Sequence, residues 1–73
     1  MAGLDCLQLR PARVLLKGCE FLWDGDLYTV TSAEVRVGRS GPYLKVEASS
    51  HYYREPLSVA LELDEEVHVL LLS

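Results

Sequence analysis

Cys6, Cys19, His51 and His68 are the side chains here whose types most often bind metals or act as nucleophiles. Their spacing argues against both uses. A structural zinc site draws on closely spaced Cys or His pairs, and no CxxC, HxxxH or HxxE pair occurs. Neither cysteine has a neighbouring histidine or a helix N-terminus that would lower its thiol pKa, so each reads as a structural thiol. His68 stands between Val67 and Val69 and is expected to point away from them, into solvent. The adjacent acids Asp64, Glu65 and Glu66 could share acid–base work in a cleft, but at a turn such a run is normally solvated. Gly38 and Gly41 follow no GxGxxG or GxxxxGK pattern and read as turn residues. No catalytic, metal or cofactor set is therefore expected.

One stretch departs from the rest. "RVGRSGPYLKVEASSHYYREP", residues 36–56, holds Arg36, Arg39, Lys45 and Arg54 together with Tyr43, Tyr52 and Tyr53, in a chain of net charge −4. Tyrosine and arginine are enriched at protein-binding hot spots. The same types also build stacking platforms for single-stranded nucleic acid, and they serve ordinary packing on β surfaces. All three readings stay open for this stretch. Residues 55–73 hold Glu55, Glu62, Asp64, Glu65 and Glu66 and no lysine or arginine. That end suits a basic protein segment, whereas bulk nucleic-acid affinity needs bases to neutralise phosphates.

The elements that must position these residues are short strands, because the hydrophobic period is two almost throughout. "PYLKVEA" places Leu44, Val46 and Ala48 on one face and Tyr43, Lys45 and Glu47 on the other. "LSVALEL" places Leu57, Val59, Leu61 and Leu63 inward, and "AEVRV" does the same for Ala33, Val35 and Val37. Asp24-Gly25 lies between two β-prone runs and tolerates the positive φ angles of a tight hairpin. Gly38-Arg39-Ser40-Gly41 predicts a second hairpin with a four-residue loop, and "LDEEV" a third turn. Around Pro11 the chain could be strand or helical turn. Residues 64–72 fit a final strand better than a short helix capped by Asp64.

At 73 residues with 49% hydrophobic content, one domain spanning residues 1–73 can form a core of its own. The expected fold is mainly β: five or six strands in a small antiparallel sheet curled into an SH3-like barrel or half-barrel, with room for one short terminal helix. "MAGLDCLQL" has neither the basic start nor the apolar run of a signal peptide, and the longest apolar run, "VLLL", is too short for a bilayer. A cytoplasmic protein with reduced thiols and no membrane partner is expected.

"GDLYTVTSAEVRVGRSGPYLKVEA", residues 25–48, resembles the SH3-like first domain of elongation factor P. In that family a strand opening with glycine and an aromatic pair leads to a Gly-Lys-Gly hairpin tip. The resemblance implies the small-barrel fold. Here Arg39 stands opposite the family's modified lysine and Ser40 is inserted. Arginine cannot take that modification, so the family's activity is not implied. In size, acidity and lack of catalytic chemistry the chain is also similar to small phage regulators of host machinery.

The sequence thus predicts a non-enzymatic regulatory protein that docks on a larger protein or complex with a basic segment, RNA polymerase being one such machine. Arg36, Arg39, Tyr43, Lys45, Tyr52, Tyr53 and Arg54 would anchor it and Asp64, Glu65 and Glu66 would steer it. An open strand edge is a natural docking element, for a partner strand or for a second copy in an edge-paired dimer. The alternative is an SH3-like module that contacts RNA or single-stranded DNA through its basic, aromatic hairpin.

Overall fold

The computed structural model describes residues 7–50 and 52–70. Cys6, His51 and residues 71–72 of the expected terminal strand lie outside the described residues. Among the described residues, six strands form one antiparallel sheet: β1 (Leu7–Pro11), β2 (Glu20–Trp23), β3 (Asp26–Gly38), β4 (Gly41–Ser49), β5 (Leu57–Glu62) and β6 (Glu66–Leu70). Their order across the sheet is β1-β6-β2-β3-β4-β5.

Each connection follows from local chemistry. Trp23 pairs with Asp26, which leaves Asp24 and Gly25 as a two-residue loop with φ of 52° and 86°. Two positive φ angles match the right-handed twist of the flanking strands, so the hairpin forms here. At the β3–β4 turn, Gly38 pairs with Gly41. The loop is therefore Arg39-Ser40, tighter than the four residues expected, and Gly41 takes φ +112° to return the chain. Around Pro11 both expected conformers occur in succession. β1 ends at Pro11, and a 3-10 turn follows over Ala12–Val14. The final segment is strand through Leu70.

The sheet curls into a half-barrel. The backbone N–H of Ala12 donates to the Glu65 carbonyl at 2.7 Å, and that of Arg13 to the Leu63 carbonyl at 3.1 Å. These bonds carry the chain after β1 across to the β5–β6 turn. Inside lie Leu15, Phe21, Val30, Val46, Leu61 and Val69, all essentially inaccessible. Leu44, Val46 and Ala48 are buried as the alternation of β4 requires, and Leu61 anchors the same face of β5. No buried polar side chain occurs among the described residues, so the core holds together by apolar burial alone.

The strands are unequal, and that inequality positions the candidate site. β2 pairs with β3 from Trp23 back to Glu20, and two further backbone bonds join Gly18 and Cys19 to Val30. There the β2 side stops, because the chain turns away at Lys17 and Gly18. β3 continues to Gly38 with β4 as its only neighbour among the described residues. A register shift between Val30 and Ser32 makes the transition, and the Thr31 hydroxyl donates to the Glu47 carbonyl at 3.0 Å across it. This bulge moves the inward side chains from even positions, Tyr28 and Val30, to odd ones.

The inward assignment of Val35 and Val37 is corrected by this geometry. Both sit on the core-side face, opposite Leu44 and Pro42. No layer among the described residues covers them, and they are 63% and 81% exposed. Ala33, nearer the core, is half-buried. No helix among the described residues is long and apolar enough to cross a membrane.

Candidate functional site: the β3–β4 hairpin and its free edge

The β3–β4 hairpin gathers four of the sequence-selected residues. Arg36 pairs across the strands with Tyr43, Glu34 pairs with Lys45, and Arg39 is at the tip. Arg36, Tyr43 and Lys45 therefore share the outer face, as the alternation predicts. That face is not uniformly basic. The Arg36 guanidinium contacts the Glu34 carboxylate at 3.1 Å, and Glu62 pairs beside Tyr43 and Glu47 one step beyond Lys45. With Glu34, Glu47 and Glu62 set against Arg36 and Lys45, no continuous cationic track runs along it.

The other face and the open edge are chemically distinct. Among the described residues, β3 over residues 32–38 bonds to β4 on one side only. In an antiparallel pair alternate residues turn their N–H and C=O groups outward, so this edge presents unpaired backbone donors and acceptors. Val35 and Val37 lie bare on the core-side face of the same segment, followed by exposed Pro42 across the turn.

The acidic turn meets the hairpin tip. Leu63, Asp64 and Glu62 face Arg39, Ser40 and Tyr43 across an open cleft of about 530 Å³. Asp64 is ion-paired with Arg13, and the Glu65 carboxylate accepts from the Glu62 backbone N–H at 3.4 Å. Of the three acids expected to steer a partner, all exposed, Asp64 is thus tied to the 3-10 turn after β1 and Glu65 to its own turn, while Glu66 opens β6.

Tyr52, Tyr53 and Arg54 do not join the hairpin residues. From Tyr43 to Ser49, β4 runs extended, which carries the chain about 20 Å at roughly 3.3 Å per residue. Residues 52–56 then lie at the other end of the sheet, where Tyr53, Glu55 and Pro56 stand beside Asp24 and Asp26 of the β2–β3 turn. Tyr53 stacks on Tyr28 with ring centroids 6.4 Å apart and an interplanar angle of 14°. Its hydroxyl donates to the Asp26 carboxylate at 3.1 Å. That bond and the negative charge of Asp26 push the Tyr53 phenol above its ordinary pKa of 10. Tyr52 and Arg54 are exposed in the same loop. The single aromatic and basic patch expected from the sequence is therefore two sites at opposite ends.

Sequence reasoning missed Val35 and Val37 as surface residues, although a signal was present. A hairpin centred on Asp24-Gly25 aligns Gly18 with Thr31, so β2 could never have covered the far half of β3. It also missed the pairing of Tyr53 with Asp26, which joins two parts of the chain that no local pattern connects. Among the described residues, no group of three or more His, Cys, Asp or Glu side chains is placed to hold a metal ion. His68 is exposed on β6, and Cys19 is a half-buried free thiol packed against the core.

No protein-family model matches the chain, and no curated protein matches it.

Proposed function

We propose that this protein is a non-enzymatic binding module that docks on a larger protein by adding a strand to the free edge of β3. The observation that carries this reading is the segment at residues 32–38, which combines a strand edge unpaired among the described residues with the exposed side chains of Val35 and Val37. Main-chain bonds along such an edge give affinity, and alternate side chains give selectivity. An incoming strand with apolar residues at alternate positions would cover the two valines. Arg39 and Tyr43 stand close by as anchors, and Arg36 exchanges its contact with Glu34 for a partner group. The partner class we favour is a large protein machine, and a regulatory effect would follow from occupying its surface. RNA polymerase is the first machine to test, on the similarity in size, acidity and composition to small phage regulators.

The test is affinity capture from bacterial lysate with the tagged chain, washed at low and high salt, with and without nuclease. A Val35→Ser/Val37→Ser double variant is run alongside. Both valines are exposed, so the variant should keep its thermal midpoint. The expected result is a large protein complex held by the native chain after nuclease and high salt and lost by the variant. Recovery of nucleic acid alone, released at high salt, would overturn the proposal in favour of an RNA or single-stranded DNA contact through Arg36, Arg39, Tyr43 and Lys45.

A further inference from the structure

At the opposite end of β3 the chain builds a second, unrelated surface. A cleft of about 290 Å³ is lined by Asp24 and Asp26 from the β2–β3 turn, by Tyr28, and by Tyr53, Glu55, Pro56 and Leu57 from the loop before β5. Two tyrosines, a proline and a leucine form its apolar walls. Three carboxylates complete it, and no lysine or arginine lines it. Tyr53 is 52% exposed yet held twice, by its stacking on Tyr28 and by its bond to Asp26. An exposed aromatic ring that is already fixed loses little freedom when a ligand arrives. Arg54 is exposed next to Tyr53 in the chain but makes no ion pair with the carboxylates of the cleft.

We propose that this cleft is a binding site for a cationic side chain, a lysine or an arginine presented by another molecule. Such a ligand matches the lining in both of its parts. Lysine and arginine carry an apolar stem and a charged head. The stem fits Pro56, Leu57 and the ring of Tyr53. The head meets Asp24, Asp26 and Glu55, and the electron-rich face of an aromatic ring attracts a cation further. An anionic ligand is repelled by the three carboxylates, and a neutral polar one leaves them without a counter-charge. The raised pKa of the Tyr53 phenol comes first from its bond to Asp26 and then from the charge of Asp26, with a smaller contribution from Asp24. The site lies at the far end of β3 from the free edge and stands whether or not that edge docks a strand.

The experiment is a heteronuclear NMR titration of the full chain at near-physiological salt. The probes are N-acetyl-lysine methylamide and N-acetyl-arginine methylamide, with N-acetyl-glutamine methylamide as the neutral control. The expected result is saturable shifts confined to residues 24–28 and 53–57, with roughly millimolar affinity for the cationic probes and none for the control. Asp26→Asn and Tyr53→Ala should each weaken binding by about tenfold, while Tyr53→Phe, which keeps the ring, should retain most of it. If Tyr53→Ala displaces the loop, the Asp26→Asn variant and the glutamine control decide the matter alone. Shifts that never saturate, that appear equally around Asp64, Glu65 and Glu66, or that survive Asp26→Asn unchanged would overturn the proposal.

Discussion

Tyr53 and Val37 show how differently exposed side chains can be employed. Tyr53 is half in solvent, yet its hydroxyl has a defined partner 27 residues away. Asp26 favours the protonated phenol, so the folded protein holds that proton more tightly than the unfolded chain does. The resulting contribution to stability is complete below pH 10, the ordinary value, and is lost as pH rises through the raised one. Asp26→Asn should bring the Tyr53 pKa down toward 10, readable from the tyrosine absorbance or its NMR resonances through an alkaline titration. Val37, by contrast, leaves 81% of its surface in solvent. Val37→Ser should therefore change stability by less than about 0.5 kcal/mol. Phe21→Ala, which empties the centre of the core and removes contacts with Trp23 and Tyr28, should cost about 3–5 kcal/mol. Denaturant unfolding of the two variants side by side separates a surface residue from a core residue of the same sheet.

Among the elements, the two hairpins depend on different devices. The β2–β3 turn uses positive φ at both loop residues, and its Asp-Gly sequence announces it. The β3–β4 turn places its strain on Gly41, where φ is +112° and an added Cβ would meet no atom within 4 Å. Gly41→Ala should thus destabilise by backbone strain alone, by about 1–2 kcal/mol, with hydrogen exchange rising first at residues 36–43. Gly38→Ala differs, because its Cβ would press the Tyr43 ring at 3.2 Å and move a side chain of the candidate site. The alternation of β4 and β5 could be read directly, since the two strands pair in one unbroken register and each keeps one period throughout. β3 could not be read that way. Its bulge at Thr31 shifts the period in mid-strand, so Tyr28, Val30 and Ala33 share a face that no fixed alternation assigns. The separation of Tyr43 from Tyr52 and Tyr53 required knowing that β4 runs unbroken between them, and the seat of Tyr53 on Tyr28 is a tertiary contact without local signal.

For the molecule as a whole, an elongated shape of 42 × 26 × 19 Å follows from letting one hairpin outrun the core that supports it. Such a hairpin exposes a strand edge, and an edge bearing apolar side chains invites the same edge of another copy. The sequence carries a counter-measure, since Glu34 and Arg36 alternate with the valines and put both signs of charge along the edge. In the parallel or antiparallel alignments that set like charges opposite each other, two copies repel, whereas a partner strand without those charges does not. These charges thus disfavour every such alignment and leave to a second copy only the antiparallel one centred on Val35, where Glu34 meets Arg36, whereas a foreign strand meets no such restriction. Glu34→Thr/Arg36→Thr removes the charges and leaves two β-branched residues beside Val35 and Val37, so the variant should self-associate as concentration rises. Sedimentation velocity of the native chain and the variant over a range of about tenfold or more in concentration, compared with a Val35→Lys/Val37→Lys variant, measures this. A larger sedimentation coefficient for the threonine variant alone would show the edge to be adhesive and guarded by its charges. Equal coefficients for all three would show that the edge does not pair, and strand addition would then lose its physical basis in this fold.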